Sequence, residues 1–186
     1  MTAMDLQPER SALVIVDIQE RLAGAMPERE RERCVKNAAI LAEAAGLLGV
    51  PVLVSEQYPK GLGHTVAPIA DKLPESAQVI EKVEFDASAN DDFMTHFDGL
   101  GREQVILAGM EAHICVFQTA RGLATRGKTV HVAYDATCSR LLEHRDAAQE
   151  LWARAGAVPT ITETVLFDWL GKAGGDAFKT ISKLIR

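Results

Sequence analysis

Gln104-Val105-Ile106-Leu107-Ala108-Gly109-Met110-Glu111-Ala112-His113-Ile114-Cys115-Val116 is the stretch that decides the fold. An apolar strand, Gln104–Ala108, runs into Gly109. A short polar interruption follows, and Cys115 then opens a helical pattern that continues to Ala124. A thiol in the first turn of a helix, just past the C-terminal end of a strand, is well placed for a nucleophile. The free N–H groups and partial positive charge of a helix start stabilise a thiolate and lower its pKa. The same N–H groups can receive an oxyanion.

On either side of this stretch, strands alternate with helices. Ser11–Asp17 is a continuously apolar run that ends in an acid, the pattern of a strand buried on both faces, and Val50–Glu56 is the second strand. Pro27–Gly49 carries Val35, Ala38, Leu41, Ala42, Ala45 and Leu48 at helical spacing, with Gly49 as its stop. Gln57–Ser76 reads as a long loop with a short helix over Val66–Lys72. Gln78–Val83 is a third strand, and Asp91–Leu100 is a helix capped by Asn90. Lys128–Asp135 is the fifth strand and Ala136–Arg140 a loop at its end. Glu143–Ala155 is helical. Val158–Thr162 is a short sixth strand whose Pro159 suits an edge. Helical pieces over Glu163–Leu170 and Asp176–Arg186 close the chain. The apolar stripe of the last one can pack on its own sheet or on a neighbouring subunit.

This alternation implies right-handed crossovers and a mostly parallel sheet covered on both faces, so the strand C-termini share one rim. Asp17, Lys82 and Cys115 each sit at or just past such an end. Taken one at a time, Asp17 serves equally well as a solvated strand-end acid or a helix cap, and a strand-end lysine is commonly a surface charge. Brought together, the three can do chemistry. Cys115 supplies a nucleophile, Asp17 takes its proton and later activates water, and Lys82 favours the charged forms of both. His113 is too close to Cys115 in sequence to be assumed its base, and a substrate-contact or structural role suits it better. Tyr58 and His64, in the long loop, are candidate substrate contacts.

Length and composition bound the rest. At 186 residues the chain is expected to form one domain over 1–186. A net charge of −6 gives no electrostatic reason to expect nucleic acid or anionic membranes as partners. No apolar run approaches the roughly 20 residues needed to span a bilayer, and the N-terminus has no signal-peptide core. Cys34, Cys115 and Cys138 are odd in number and widely spaced, which points to a reducing, cytoplasmic setting. No zinc-type spacing is present.

Three motifs in this order carry a family resemblance: V-I-V-D-I-Q at Val14–Gln19, E-K at Glu81–Lys82, and A-G-M-E-A-H-I-C-V at Ala108–Val116. The chain resembles the isochorismatase-like cysteine hydrolases. With S-E-Q-Y-P-K-G-L-G-H-T at Ser55–Thr65 it is especially similar to the isochorismatase domain-containing proteins. The resemblance implies a three-layer α-β-α Rossmann-like fold (class α/β) with a mostly parallel sheet of about six strands. It implies Asp17, Lys82 and Cys115 as a catalytic triad, a cis peptide bond at Met110–Glu111, and the Glu111 and Cys115 N–H groups as the oxyanion site. Gln19, Phe85 and His113 join Tyr58 as expected substrate contacts, and the resemblance implies a homo-oligomer, dimer or larger.

Two departures from the family pattern matter: the metal motif, and Ala112 where many members carry threonine, which leaves one hydroxyl missing near the turn. Nicotinamidase members carry a D-x-H-like metal motif after the second strand. Here that place reads Glu56-Gln57-Tyr58, so neither a metal nor another cofactor is expected. Members that cleave isochorismate itself lack the cysteine, so Cys115 directs the expectation to a small-molecule amide, carbamoyl or imide C–N bond, cleaved through a thioester. Two other readings stand beside it. One is a peroxide-reactive thiol protein in which Cys138 resolves Cys115. The other is a weakly catalytic binding protein on a hydrolase scaffold.

Overall fold

A computed structural model describes residues 4–185. Its strands are β1 (Ser11–Val16), β2 (Val52–Gln57), β3 (Gln78–Lys82), β4 (Gln104–Met110), β5 (Thr129–Cys138) and β6 (Val158–Thr160). They form one sheet in the order β3-β2-β1-β4-β5-β6, and every pairing is parallel. The helices are α1 (Glu20–Gly24), α2 (Glu28–Leu48), α3 (Pro59–Leu62), α4 (Ala67–Ala70), α5 (Asp91–Gly99), α6 (Phe117–Thr125), α7 (Leu142–Arg154), α8 (Thr162–Leu170) and α9 (Gly175–Leu184).

The central strands β1 and β4 are buried at every residue, as their unbroken apolar runs require. Their side chains alternate between two cores. Leu13, Ile15, Ile106 and Ala108 face a core with residues of α2, α8 and α9. Ala12, Val14, Val16, Val105 and Leu107 face a core with residues of α5, α6 and α7. The result is a three-layer α/β fold with both sheet faces covered. The stripe of α9 packs on its own fold: Ile181 is buried in the first core, and Leu184 and Ile185 lie against it.

Local signals explain most boundaries. Gly49 ends α2 in the left-handed conformation (φ 68°). The Asn90 side chain accepts from Phe93 N and caps α5. Pro159 lies on the edge strand β6.

Three expectations are corrected. Cys115 does not open a helix: Ala112–Val116 form a π turn, and α6 begins at Phe117. Residues 136–138 are not loop. The β4–β5 register shifts between Leu107 and Gly109, and the irregularity lets β5 run on to Cys138. The short helix α1 lies where no element was read.

Candidate active site

The topology delivers Asp17, Lys82 and Cys115 to one place. Asp17 is the first residue past β1 and adopts φ 53°, a left-handed conformation uncommon for a residue with a Cβ. Its Oδ2 accepts from Lys82 Nζ at 2.6 Å, and neither side chain is exposed. Its Oδ1 accepts from Ser55 Oγ at 2.7 Å. Cys115, at 6% exposure, lies beside the Asp17 carboxylate, close enough for each to shift the other's proton affinity.

Lys82 has three N–H groups and three acceptors: Asp17 Oδ2, Gln57 Oε1 at 2.8 Å and the Glu84 carbonyl at 3.0 Å. It therefore has no donor left for the sulfur in this arrangement. Its influence on Cys115 is electrostatic.

The thiol itself is not a resting thiolate. Burial, and then the adjacent Asp17 carboxylate, push Cys115 up to about 12; Lys82 and a hydrogen bond from the Glu111 backbone N–H pull the other way without offsetting them. This corrects the lowered value expected from a helix start. Burial likewise raises Asp17, against Lys82, Ser55 and Cys115. A buried carboxylate with raised proton affinity, beside a protonated thiol, can take the proton as the sulfur attacks.

The peptide bond between Met110 and Glu111 is cis. Just before it, a Cβ on Gly109 would lie 2.4 Å from Val16 O and 2.8 Å from Val16 Cβ. Only glycine lets β4 approach β1 this closely. The Glu111 side chain is buried and accepts from Arg140 Nε at 2.8 Å. His113 turns toward β5 and α7. Its Nδ1 is 2.9 Å from Ser139 Oγ, and its ring stands 4.6 Å from that of His144. Burial holds its imidazole below the ordinary value, against the pull of Glu111. His113 is thus held by its own neighbours rather than by the sulfur.

The other expected contacts divide. Tyr58 (56% exposed) and Phe85 (54%) lie at the surface, and Tyr58 lines a cleft of about 320 Å³ with Pro59, Lys60, Lys82 and Asn90. Gln19 is fully buried. Its Nε2 donates to the carbonyls of Gln57 and Gly63, and its Oε1 accepts from Gln57 N. The substrate contact expected of Gln19 is corrected to a brace between β1 and the 57–65 segment. The Glu56 carboxylate accepts from Thr65 N and Oγ1 and meets His64 Nδ1 at 2.9 Å. Among the described residues no group of three or more His, Cys, Asp or Glu could hold a metal ion.

Cys138 is not placed to resolve Cys115. Its side chain is in the core shared with α2, near Cys34, whose S–H donates to the Ala136 carbonyl at 3.2 Å, whereas Cys115 belongs to the core on the opposite face of the sheet. Ser55 and Gln57 were not singled out from the sequence; the only signal was their i, i+2 spacing at the polar end of an apolar strand.

An isochorismatase domain model matches residues 11–164, most of the chain. The chain belongs to the isochorismatase family. Isochorismatase domain-containing protein 1 of Danio rerio is 35% identical over 185 residues, covering all of this chain and 64% of that protein. The chain therefore spans somewhat less than two thirds of that relative's length. Among solved structures, the MAR1 ribonuclease of Caenorhabditis elegans shares 35% identity with a TM-score of 0.90, covering 97% of this chain and 91% of that one. The YcaC gene product of Escherichia coli, described as an octameric hydrolase of unknown specificity, shares 22% identity with a TM-score of 0.90 over 97% of this chain and 90% of its own. This last likeness is one of isochorismatase fold. Among the described residues, no helix is long and apolar enough to cross a membrane.

Proposed function

We propose that this isochorismatase-family hydrolase cleaves a C–N bond of a small amide, carbamoyl or imide through a thioester on Cys115. The observation that carries the reading is a buried Asp17 carboxylate, held in place by Lys82 and Ser55, beside the buried Cys115 thiol. As the sulfur attacks the carbonyl carbon, Asp17 takes the thiol proton. The carbonyl oxygen becomes an oxyanion and accepts from the Glu111 and Cys115 N–H groups, donors typically worth about 10²–10³ each in rate. Collapse breaks the C–N bond, and Asp17 returns the proton to the leaving nitrogen. Water, deprotonated by Asp17, then hydrolyses the thioester and releases the acid and the free thiol. Lys82 offsets the carboxylate charge throughout without moving.

Substrate-contact roles for Tyr58, Phe85 and His113 belong to this reading, as does assembly into a homo-oligomer. The octameric description of the Escherichia coli relative and the exposed Leu141 and Leu142 support assembly. The name of the Caenorhabditis elegans relative suggests RNA instead. A net charge of −6 and a nucleophile at 6% exposure favour a small substrate over a polyanionic nucleic acid. Three free, buried thiols support a reducing compartment.

Amine or ammonia release from a panel of small amides, ureido acids and cyclic imides tests the proposal. Turnover by the wild type that disappears in Cys115→Ala supports it. Turnover that survives in Cys115→Ala, or RNA cleavage that depends on Cys115 with no amide turned over, overturns it.

A further inference from the structure

A lysine ammonium on its four-carbon stem has no preferred direction of approach to a carboxylate. Here the direction is set by acceptors other than Asp17. Gln57 is the in-register neighbour of Lys82 across the β2–β3 pair. Its Oε1 accepts from Nζ at 2.8 Å while its Nε2 donates to Val83 O, also at 2.8 Å, so the amide is tied at both ends. Two residues earlier on β2, Ser55 is in register with Val16 and its hydroxyl holds the other oxygen of Asp17. One strand therefore grips both members of the ion pair.

The charges around the pair are few. Glu56, between the two β2 residues, is turned to Thr65 and His64. The Glu84 carboxylate accepts from Asn90 Nδ2 and Val83 N, and only its backbone carbonyl accepts from Lys82. The Cys115 thiol lies beside the Asp17 carboxylate. Among the described residues, Asp17 is then the one carboxylate hydrogen-bonded to Lys82.

We infer that Gln57 is a positioning residue: its neutral carbonyl tethers the Lys82 ammonium while leaving that charge undivided for Asp17. The inference rests on the reading of Asp17 as the base for Cys115. A carboxylate at position 57 would share the ammonium, so Asp17 would hold its proton to higher pH. A side chain without an acceptor would leave one ammonium N–H unanswered and the approach unset.

The test is the rate of Cys115 carboxamidomethylation by iodoacetamide between pH 4 and 9, followed by peptide mass, with thermal midpoints measured alongside. Gln57→Glu keeps the shape and adds the charge. It should move the acidic midpoint of the profile up by about one pH unit. Gln57→Met keeps the length and removes the acceptor, and should lower the plateau rate about tenfold. A midpoint unchanged in Gln57→Glu, with or without a fall in thermal midpoint, overturns the inference, because a purely structural amide would change stability alone. Asp17→Asn separates the two levels. If it leaves the profile intact, the base reading fails; if it abolishes the acidic limb while the Gln57 variants behave as wild type, only the inference about Gln57 fails. Should Asp17→Asn not fold, Asp17→Asn/Lys82→Met, which removes both charges, takes its place.

Discussion

Lys82 Nζ lies 2.6 Å from Asp17 Oδ2, and both side chains are wholly removed from solvent. Breaking such a pair leaves a buried charge alone, at a cost of about 3–5 kcal/mol. Lys82→Met should lower the urea midpoint accordingly. Adding Asp17→Asn should restore most of that loss, because no lone charge then remains, yet leave Cys115 unreactive. Chemical denaturation of the two variants, read beside iodoacetamide kinetics, checks both halves.

Ser55 donates to the Asp17 oxygen that Lys82 does not hold. Ser55→Ala removes a hydrogen bond that favours the ionised carboxylate, so the acidic limb of the reactivity profile should move up in pH. Hydrogen bonds to charged groups are worth about 1.5–3 kcal/mol, which sets the expected fall in unfolding free energy. A pH–rate profile and a denaturant titration measure the two effects.

Gly109 allows β4 to press on β1. In Gly109→Ala the new Cβ would meet the Val16 carbonyl at 2.4 Å, backbone that cannot swing away. The expected destabilisation is about 3 kcal/mol, the upper part of the range for overpacking. Differential scanning calorimetry is the measurement.

The Glu56–His64 contact makes a pH-dependent contribution. Burial opposes the charge on Glu56, but hydrogen bonds from Thr65 and His64 outweigh it and lower its pKa; the Glu56 carboxylate raises that of His64. The Glu56 contribution is present above its ordinary 4.5 and is lost as pH falls through the lowered value. The His64 contribution is full below its ordinary 6.5 and is lost as pH rises through the raised value. The thermal midpoint of wild type minus that of His64→Ala should therefore be largest between pH 4.5 and 6.5 and shrink above it. Melting curves at several pH values test this.

Much of the fold was legible because its central strands are unbroken apolar runs. Topology then put Asp17, Lys82 and Cys115 on one rim without any knowledge of side-chain contacts. What stayed hidden depends on register and backbone detail. Gln57 meets Lys82 because β2 and β3 pair with those two residues opposite each other, and nothing in either strand's composition sets that offset. The extension of β5 to Cys138 follows a register shift, so residues 136–138 looked like loop. That extension, with the strand's alternation, carries the Cys138 thiol to Cys34 on the far face of the sheet. Peroxide treatment should accordingly yield no Cys115–Cys138 disulfide in peptide maps. The raised proton affinity of Cys115 comes from burial and from the carboxylate beside it, neither of which a helix-start pattern in the sequence reveals.

The proposed reaction turns on a covalent acyl intermediate on Cys115, formed while Asp17 takes the proton. Rapid-quench intact-mass spectrometry of the enzyme mixed with a small amide that it turns over is the direct measurement. The expected result is a mass gain equal to the acyl group, mapped to the Cys115 peptide and absent from Cys115→Ala. Turnover with no adduct at any quench time, or an adduct that persists in Cys115→Ala, would contradict it.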